Sequence, residues 1–262
     1  EGLLAHRSGA PARWKGKPTA MKRCLAIGLV SAGSSLTTLA TVAAAAPVGP
    51  SEAEPAAQLI RTYVPVGPSE ADIWDVVAHG GPPSRLLYLN NCKPNGCTVR
   101  VGNTSSINNT SNIPEQTSVV QPFAYSDAVW QQVVSCVRQT YAAFDIDITD
   151  QDPGTAWHYE NLVAGTPSDV QLSNDVGGIA PFSCGVINNA ISFSFANIYG
   201  PDVEQICWTV AQETAHAFGL EHEYLRADPM TYLSGSYPKR FQNQNANCGE
   251  FSSRDCDCGG TQ

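Results

Sequence analysis

Gln212-Glu213-Thr214-Ala215-His216-Ala217-Phe218-Gly219-Leu220-Glu221-His222, followed by Asp228-Pro229-Met230-Thr231-Tyr232, is the stretch on which the reading of this chain turns. Residues four apart on a helix share a face, so Gln212 and His216 point the same way and are able to hold one metal ion between them. Glu213 sits one step round, close to such an ion without being bound to it. Gly219 has no Cβ and ends the helix in the left-handed conformation, and the short return brings His222 back towards the same point. Three protein ligands with an open fourth position are the pattern of a catalytic rather than a structural zinc site. The expected roles are therefore Gln212, His216 and His222 as ligands, with Glu213 as general base. Met230 becomes an apolar floor. Tyr232 either binds the ion at rest or donates to a developing oxyanion.

The flanks give the frame. Val203, Ile206, Cys207, Val210, Thr214 and Phe218 fall at helical spacing and predict one long helix carrying the motif up to Gly219. Ser126 is an N-cap with Asp127 in the first turn. Val129, Trp130, Val133, Val134, Val137 and Tyr141 extend a second amphipathic helix over 127–141. Strands are expected at Arg85–Leu89, at the alternating Phe144–Thr149, around Asn161–Ala164 and at Ile191–Phe195. These elements predict an α/β (α+β) fold: a twisted mixed sheet with an active-site helix and a long backing helix. An extended substrate would lie antiparallel to an edge strand, for which 191–195 is the choice. Calcium binding by Asp145, Asp147 and Asp150 is the weaker reading there, because alternation puts Asp145 and Asp147 on the solvated face. His79 and His158 read as exposed loop residues without a role.

Towards the N-terminus the composition changes. Residues 1–20 carry no pattern and read as an upstream segment outside the mature protein. Met21, Lys22-Arg23, an apolar and small-residue run and a closing alanine cluster make 21–46 a signal peptide. Its glycines and serines argue against stable membrane spanning. Residues 47–85 are a Pro/Ala-rich linker or pro-segment with Pro-Val-Gly-Pro-Ser-Glu-Ala at 47–53 and again at 65–71. Residues 86–262 form the catalytic domain. The chain stops at Gly259-Gly260-Thr261-Gln262 without a clear closing element, so truncation of that domain at its C-terminus is expected.

The whole chain carries a formal net charge of −9, and six of its 15 Lys/Arg lie in 1–46 with only one acid, so the remainder is more acidic still. Such a surface repels phosphates, and nucleic-acid binding is excluded as a function. Eight of nine cysteines fall beyond residue 46, an even count that suits disulfides in an exported protein. Cys92 and Cys97 flank Asn95-Gly96, a tight-turn dipeptide suited to closing a small hairpin. The other six cysteines cannot be paired from sequence. The expected location is extracellular, with no membrane anchor once the signal is cut.

Residues 203–232 resemble the metzincin clan of zinc endopeptidases, whose long H-E-x-x-H-x-x-G-x-x-H pattern and Met-turn they match except that Gln212 replaces the first His. Glu223 after the third ligand position and Tyr232 in Met-x-Tyr are similar to astacins, and serralysins share the Tyr. The Gln-for-His change resembles some gametolysin-like members. The resemblance implies a secreted zinc-dependent endopeptidase acting on a peptide or protein substrate. Gln212 also admits another divalent ion such as copper. The alternative it leaves open is an inactive peptide- or protein-binding module. Neither the propeptide Cys setting of matrixins nor the propeptide Asp of astacins occurs in 47–85. The motif spans about thirty residues, and oligomeric state is not readable from it.

Overall fold

Ser126 opens the first helix by accepting a hydrogen bond from the Val129 amide. The helix, α1 (Asp127–Thr140), has Asp127 in its first turn and Arg138 in its last, matching the helix dipole at both ends. The second helix, α2 (Val203–His216), is capped by Asp202, whose carboxylate accepts from the Gln205 amide at 3.0 Å. The computed structural model describes residues 59–66 and 84–262. Trp130, Val133, Val134 and Val137 of α1 share one core with Ile206, Cys207, Val210 and Ala211 of α2. A disulfide between Cys136 and Cys207 joins the two helices at that contact.

Nine strands complete the described architecture: β1 (Ile60–Pro65), β2 (Leu86–Asn90), β3 (Cys97–Val101), β4 (Thr110–Ser111), β5 (Ser118–Val120), β6 (Asp147–Thr149), β7 (Tyr159–Val163), β8 (Val176–Phe182) and β9 (Ile191–Ser194). Six of them form a mixed sheet in the order β1-β8-β9-β7-β2-β6, in which β8 and β9 are the antiparallel neighbours. The others form a small sheet, β4-β3-β5. Helix α2 packs across β7, β9, β8 and β1. The fold is thus mixed α/β, with a mixed sheet and two helices.

Several expectations need correcting. Ile191–Ser194 is not an edge strand: it lies between β8 and β7 with all four residues buried. Its apolar/Ser alternation reflects a second buried face. There Asn161 donates to the Ser192 hydroxyl at 2.9 Å and to Thr214 of α2 at 3.1 Å, so small polar residues tie sheet to helix. The edge positions belong to β1 and β6, and β1 pairs in parallel alongside β8. Of Phe144–Thr149 only Asp147–Thr149 is strand. Asp145 is bound by Arg85, and Asp150 accepts from Trp130 Nε1 and Gln131 Nε2, which leaves no shared calcium cage. His158 is buried, with Nδ1 on the Ala156 carbonyl at 2.7 Å, whereas His79 lies outside the described residues.

Cys92 and Cys97 do form a disulfide, but it closes a turn between strands of two different sheets rather than a hairpin. The remaining pairs are Cys184–Cys258 and Cys248–Cys256. The upstream segment 1–20 and the signal segment 21–46 lie outside the described residues. Part of 47–85 is described as β1, a strand of the main sheet. No described helix is long and apolar enough to cross a membrane.

Candidate metal centre

Helix α2 delivers Gln212, Glu213 and His216, all fully buried in its last two turns. It ends at His216 with Ala217 as its C-cap, three residues before the expected Gly219 stop, and 217–219 form the turn. Gly219 has φ +87°, and a Cβ there would meet the Gly185 backbone at 3.2 Å, so only glycine makes this turn without strain. The turn closes with the Gly219 amide on His216 O at 3.0 Å and the Leu220 amide on Ala215 O at 3.3 Å. It also brings the Leu220 carbonyl to His216 Nδ1 at 2.7 Å. Three residues after Gly219, His222 arrives opposite His216.

The two imidazoles fix each other's chemistry. A carbonyl only accepts, so His216 Nδ1 must carry a proton and Nε2 keeps its lone pair. His222 Nδ1 lies 2.9 Å from Glu250 Oε1, and the Glu250 carboxyl is held down at about 2, first by that contact and also by Arg254. His222 Nδ1 is therefore the donor as well. The two Nε2 atoms stand 3.1 Å apart with lone pair facing lone pair. Burial, the largest influence on each ring, lowers both His pKa values and opposes a bridging proton. A metal ion would resolve the conflict: tetrahedral zinc with nitrogen ligands at about 2.0–2.1 Å would place them roughly 3.3 Å apart.

The neighbouring groups fit such an ion. Among the described residues neither Gln212 Oε1 nor Nε2 has a hydrogen-bond partner, and the same holds for both carboxyl oxygens of Glu213. Buried polar atoms are rarely left so, and each asks for a reason. Burial raises the Glu213 pKa well above the usual range, while the Arg61 guanidinium pulls it back. Glu213 has room because residue 178 is glycine: a Cβ there would lie 2.6 Å from its Cγ and Oε1. Met230 is fully buried, and its carbonyl accepts from the Glu223 amide at 2.8 Å. The Tyr232 ring centroid is 4.6 Å from that of His222, and its hydroxyl donates to the Arg61 carbonyl.

Four contributors escaped the sequence reading. Glu250 orients His222. Arg254 braces Glu250 at 3.2 Å and the buried Glu221 at 2.8 Å. Burial works against an ionised Glu221, but Arg254 and the Cys258 and Asp257 amides outweigh it and lower the pKa. Glu221 also lies near Cys248 and Cys256, but those sulfurs are bonded to each other, so the cluster is a structural clamp. From β1, Tyr63 sets its ring 4.9 Å from His216 and 5.2 Å from His222. Buried Arg61 lies 3.5 Å above the Trp208 ring. The β-branched and aromatic run Ile60-Arg61-Thr62-Tyr63-Val64 was the available signal for that strand, masked by its Pro/Ala-rich surroundings.

No protein-family model matches the chain, and neither a curated protein nor a solved structure matches it.

Proposed function

We propose that the chain is a secreted zinc-dependent endopeptidase of metzincin-like fold. The observation that carries the reading is the pair of opposed Nε2 lone pairs 3.1 Å apart beside the unpartnered Gln212 and Glu213. Gln212 Oε1, His216 Nε2 and His222 Nε2 would hold the ion. When bound, it supplies a Lewis acid for the scissile carbonyl and acidifies water for attack. The chain's own groups do the rest. Glu213 accepts the proton of the attacking water and returns it to the leaving amine. Its burial among α2, β8 and Arg61 keeps competing solvent from the carboxyl. Glu250 and the Leu220 carbonyl fix both imidazoles in the tautomer that presents Nε2. The Tyr232 hydroxyl, once freed from the Arg61 carbonyl, is the donor next to the His222 ring and is suited to a developing oxyanion. Four disulfides agree with an oxidising compartment.

The test is metal content of the purified protein by elemental analysis, beside cleavage of unfolded casein and a Glu213→Ala control. Near-stoichiometric zinc with cleavage lowered by at least about 100-fold in the control is expected. Folded protein that takes up neither zinc nor copper and cleaves nothing would leave the peptide-binding module as the function.

A further inference from the structure

Strand β8 is built like the edge of a sheet. Gly177 and Gly178 weaken it as a central strand, and Pro181 lacks the amide that a second neighbour would use. Its antiparallel pairing with β9 covers only Gly178 and Ile179. Along the other side runs β1, parallel and in register from Arg61↔Gly178 to Pro65↔Phe182. The Ile60 amide donates to Asp175 O at 2.7 Å and the Val66 amide to Phe182 O at 2.8 Å, so the pairing is closed at both ends.

Alternation divides the side chains of β1. Val64 joins the cluster of Val176, Ile179 and Phe193. Arg61 and Tyr63, two apart, turn to the metal centre. Arg61 lies on Trp208, hydrogen-bonds the Tyr199 hydroxyl and is the charge that faces Glu213. Gly177 leaves space for that hydroxyl, which would be 2.0 Å from a Cβ at 177. Tyr63 lies across both imidazoles and contacts Phe182 at 4.5 Å between ring centroids. Tyr232 spends its hydroxyl on the Arg61 carbonyl. Main chain, cation and aromatic ring of one short segment thus engage the sheet edge, the general base and the ligand imidazoles together.

We propose that Ile60–Pro65 is a tethered occupant of the substrate groove, and that the groove recognises an extended segment bearing a basic residue and, two positions on, an aromatic one. Its inhibitory consequence rests on the endopeptidase reading; the binding itself does not. While β1 is seated, no other chain can pair with β8, and the side of Glu213 that faces Arg61 is closed. Release requires β1 to leave as a strand, since both its backbone and its alternate side chains are engaged.

The experiment uses the full chain and a full-chain Arg61→Ala/Tyr63→Ala variant, titrated with a fluorescein-labelled peptide copying residues 59–66. The tether gives an effective concentration on the order of millimolar, so the titration extends to that range. The peptide should bind the variant at least ten-fold more tightly than the unaltered chain, and a peptide with both residues changed to Ala should lose that advantage. Casein cleavage is followed in parallel. Tighter binding without cleavage keeps the occupant and sinks the protease. Equal binding to both proteins, or none to either, with circular dichroism showing the variant folded, overturns the inference. Should the variant not fold, hydrogen exchange on the unaltered chain decides. Amides of β1 should exchange through an opening that leaves β7 and β9 protected, and exchange only by global unfolding would overturn it.

Discussion

The Nε2 atoms of His216 and His222 face each other across 3.1 Å while each ring's Nδ1 donates elsewhere, to the Leu220 carbonyl and to the Glu250 carboxylate. Two acceptors at that distance repel unless a cation lies between them. A ligand that binds the folded state alone at one hundred times its Kd stabilises by about 2.7 kcal/mol, or about 5–10 °C in Tm for a domain of this size. Zinc should therefore raise Tm by that order in scanning calorimetry, and chelation should reverse it. His216→Ala or His222→Ala should abolish the shift and Gln212→His should enlarge it. No response of the unaltered protein to zinc or copper would sink the metal centre.

Glu250 acts on the centre through His222. Glu250→Gln keeps an acceptor for Nδ1 but removes the charge, and loss of such a partner costs about 10–100-fold in metal affinity. Competition against a chelator of known affinity measures this. Unchanged affinity would reduce Glu250 to a loop contact.

Gly178 shapes the space for Glu213. A methyl at 178 would stand 2.6 Å from the Glu213 side chain and must displace it. Overpacking of this kind costs about 1–3 kcal/mol, so Gly178→Ala should lower the urea midpoint and casein cleavage together. A variant equal to the parent in both would show that Glu213 has slack.

How much of this was legible in the sequence follows from the range of the interactions. The motif helix, its glycine stop and the return of His222 depend on neighbours within ten residues, and periodicity together with one missing Cβ specified them. The backing helix was legible for the same reason, down to its Ser126 cap. Strand order was not. Ile191–Ser194 alternates like a half-exposed edge, yet Ser192 and Ser194 face a second packed layer, and no local pattern separates a solvated serine from one bonded to Asn161. Glu250 and Arg254 were invisible because their partners sit 28 and 33 positions away. Arg61 was hidden by company: a charged residue among prolines and alanines reads as linker until a sheet edge more than a hundred residues later receives it.

Away from the centre, Glu160 is buried with Asn90 as its donor at 2.8 Å. Burial raises its pKa to about 7, with the Asn90 contact opposing. The folded state then binds more protons than the unfolded one above the unfolded pKa, so stability falls as pH rises through about 4.5 to 7 and levels off beyond. The full effect is about 3 kcal/mol. Glu160→Gln should flatten the dependence of the urea midpoint on pH across that window. A slope unchanged by the substitution would show that another group carries it.

The Cys136–Cys207 bridge closes a loop of 71 residues between α1 and α2. Chain entropy puts its contribution at about 4 kcal/mol, so a Cys136→Ala/Cys207→Ala variant should unfold well below the parent in denaturant. A loss under about 1 kcal/mol would mean that helix packing alone sets the contact.

The linear order of these parts is also a schedule for biosynthesis. Among the described residues β1 is the first strand of the sheet to be made, β8 follows more than a hundred residues later, and Glu250 and Arg254, which aim His222, come later still. On the proposed reading, the occupant of the groove is therefore made before the strand that receives it, and the second imidazole is aligned only after both.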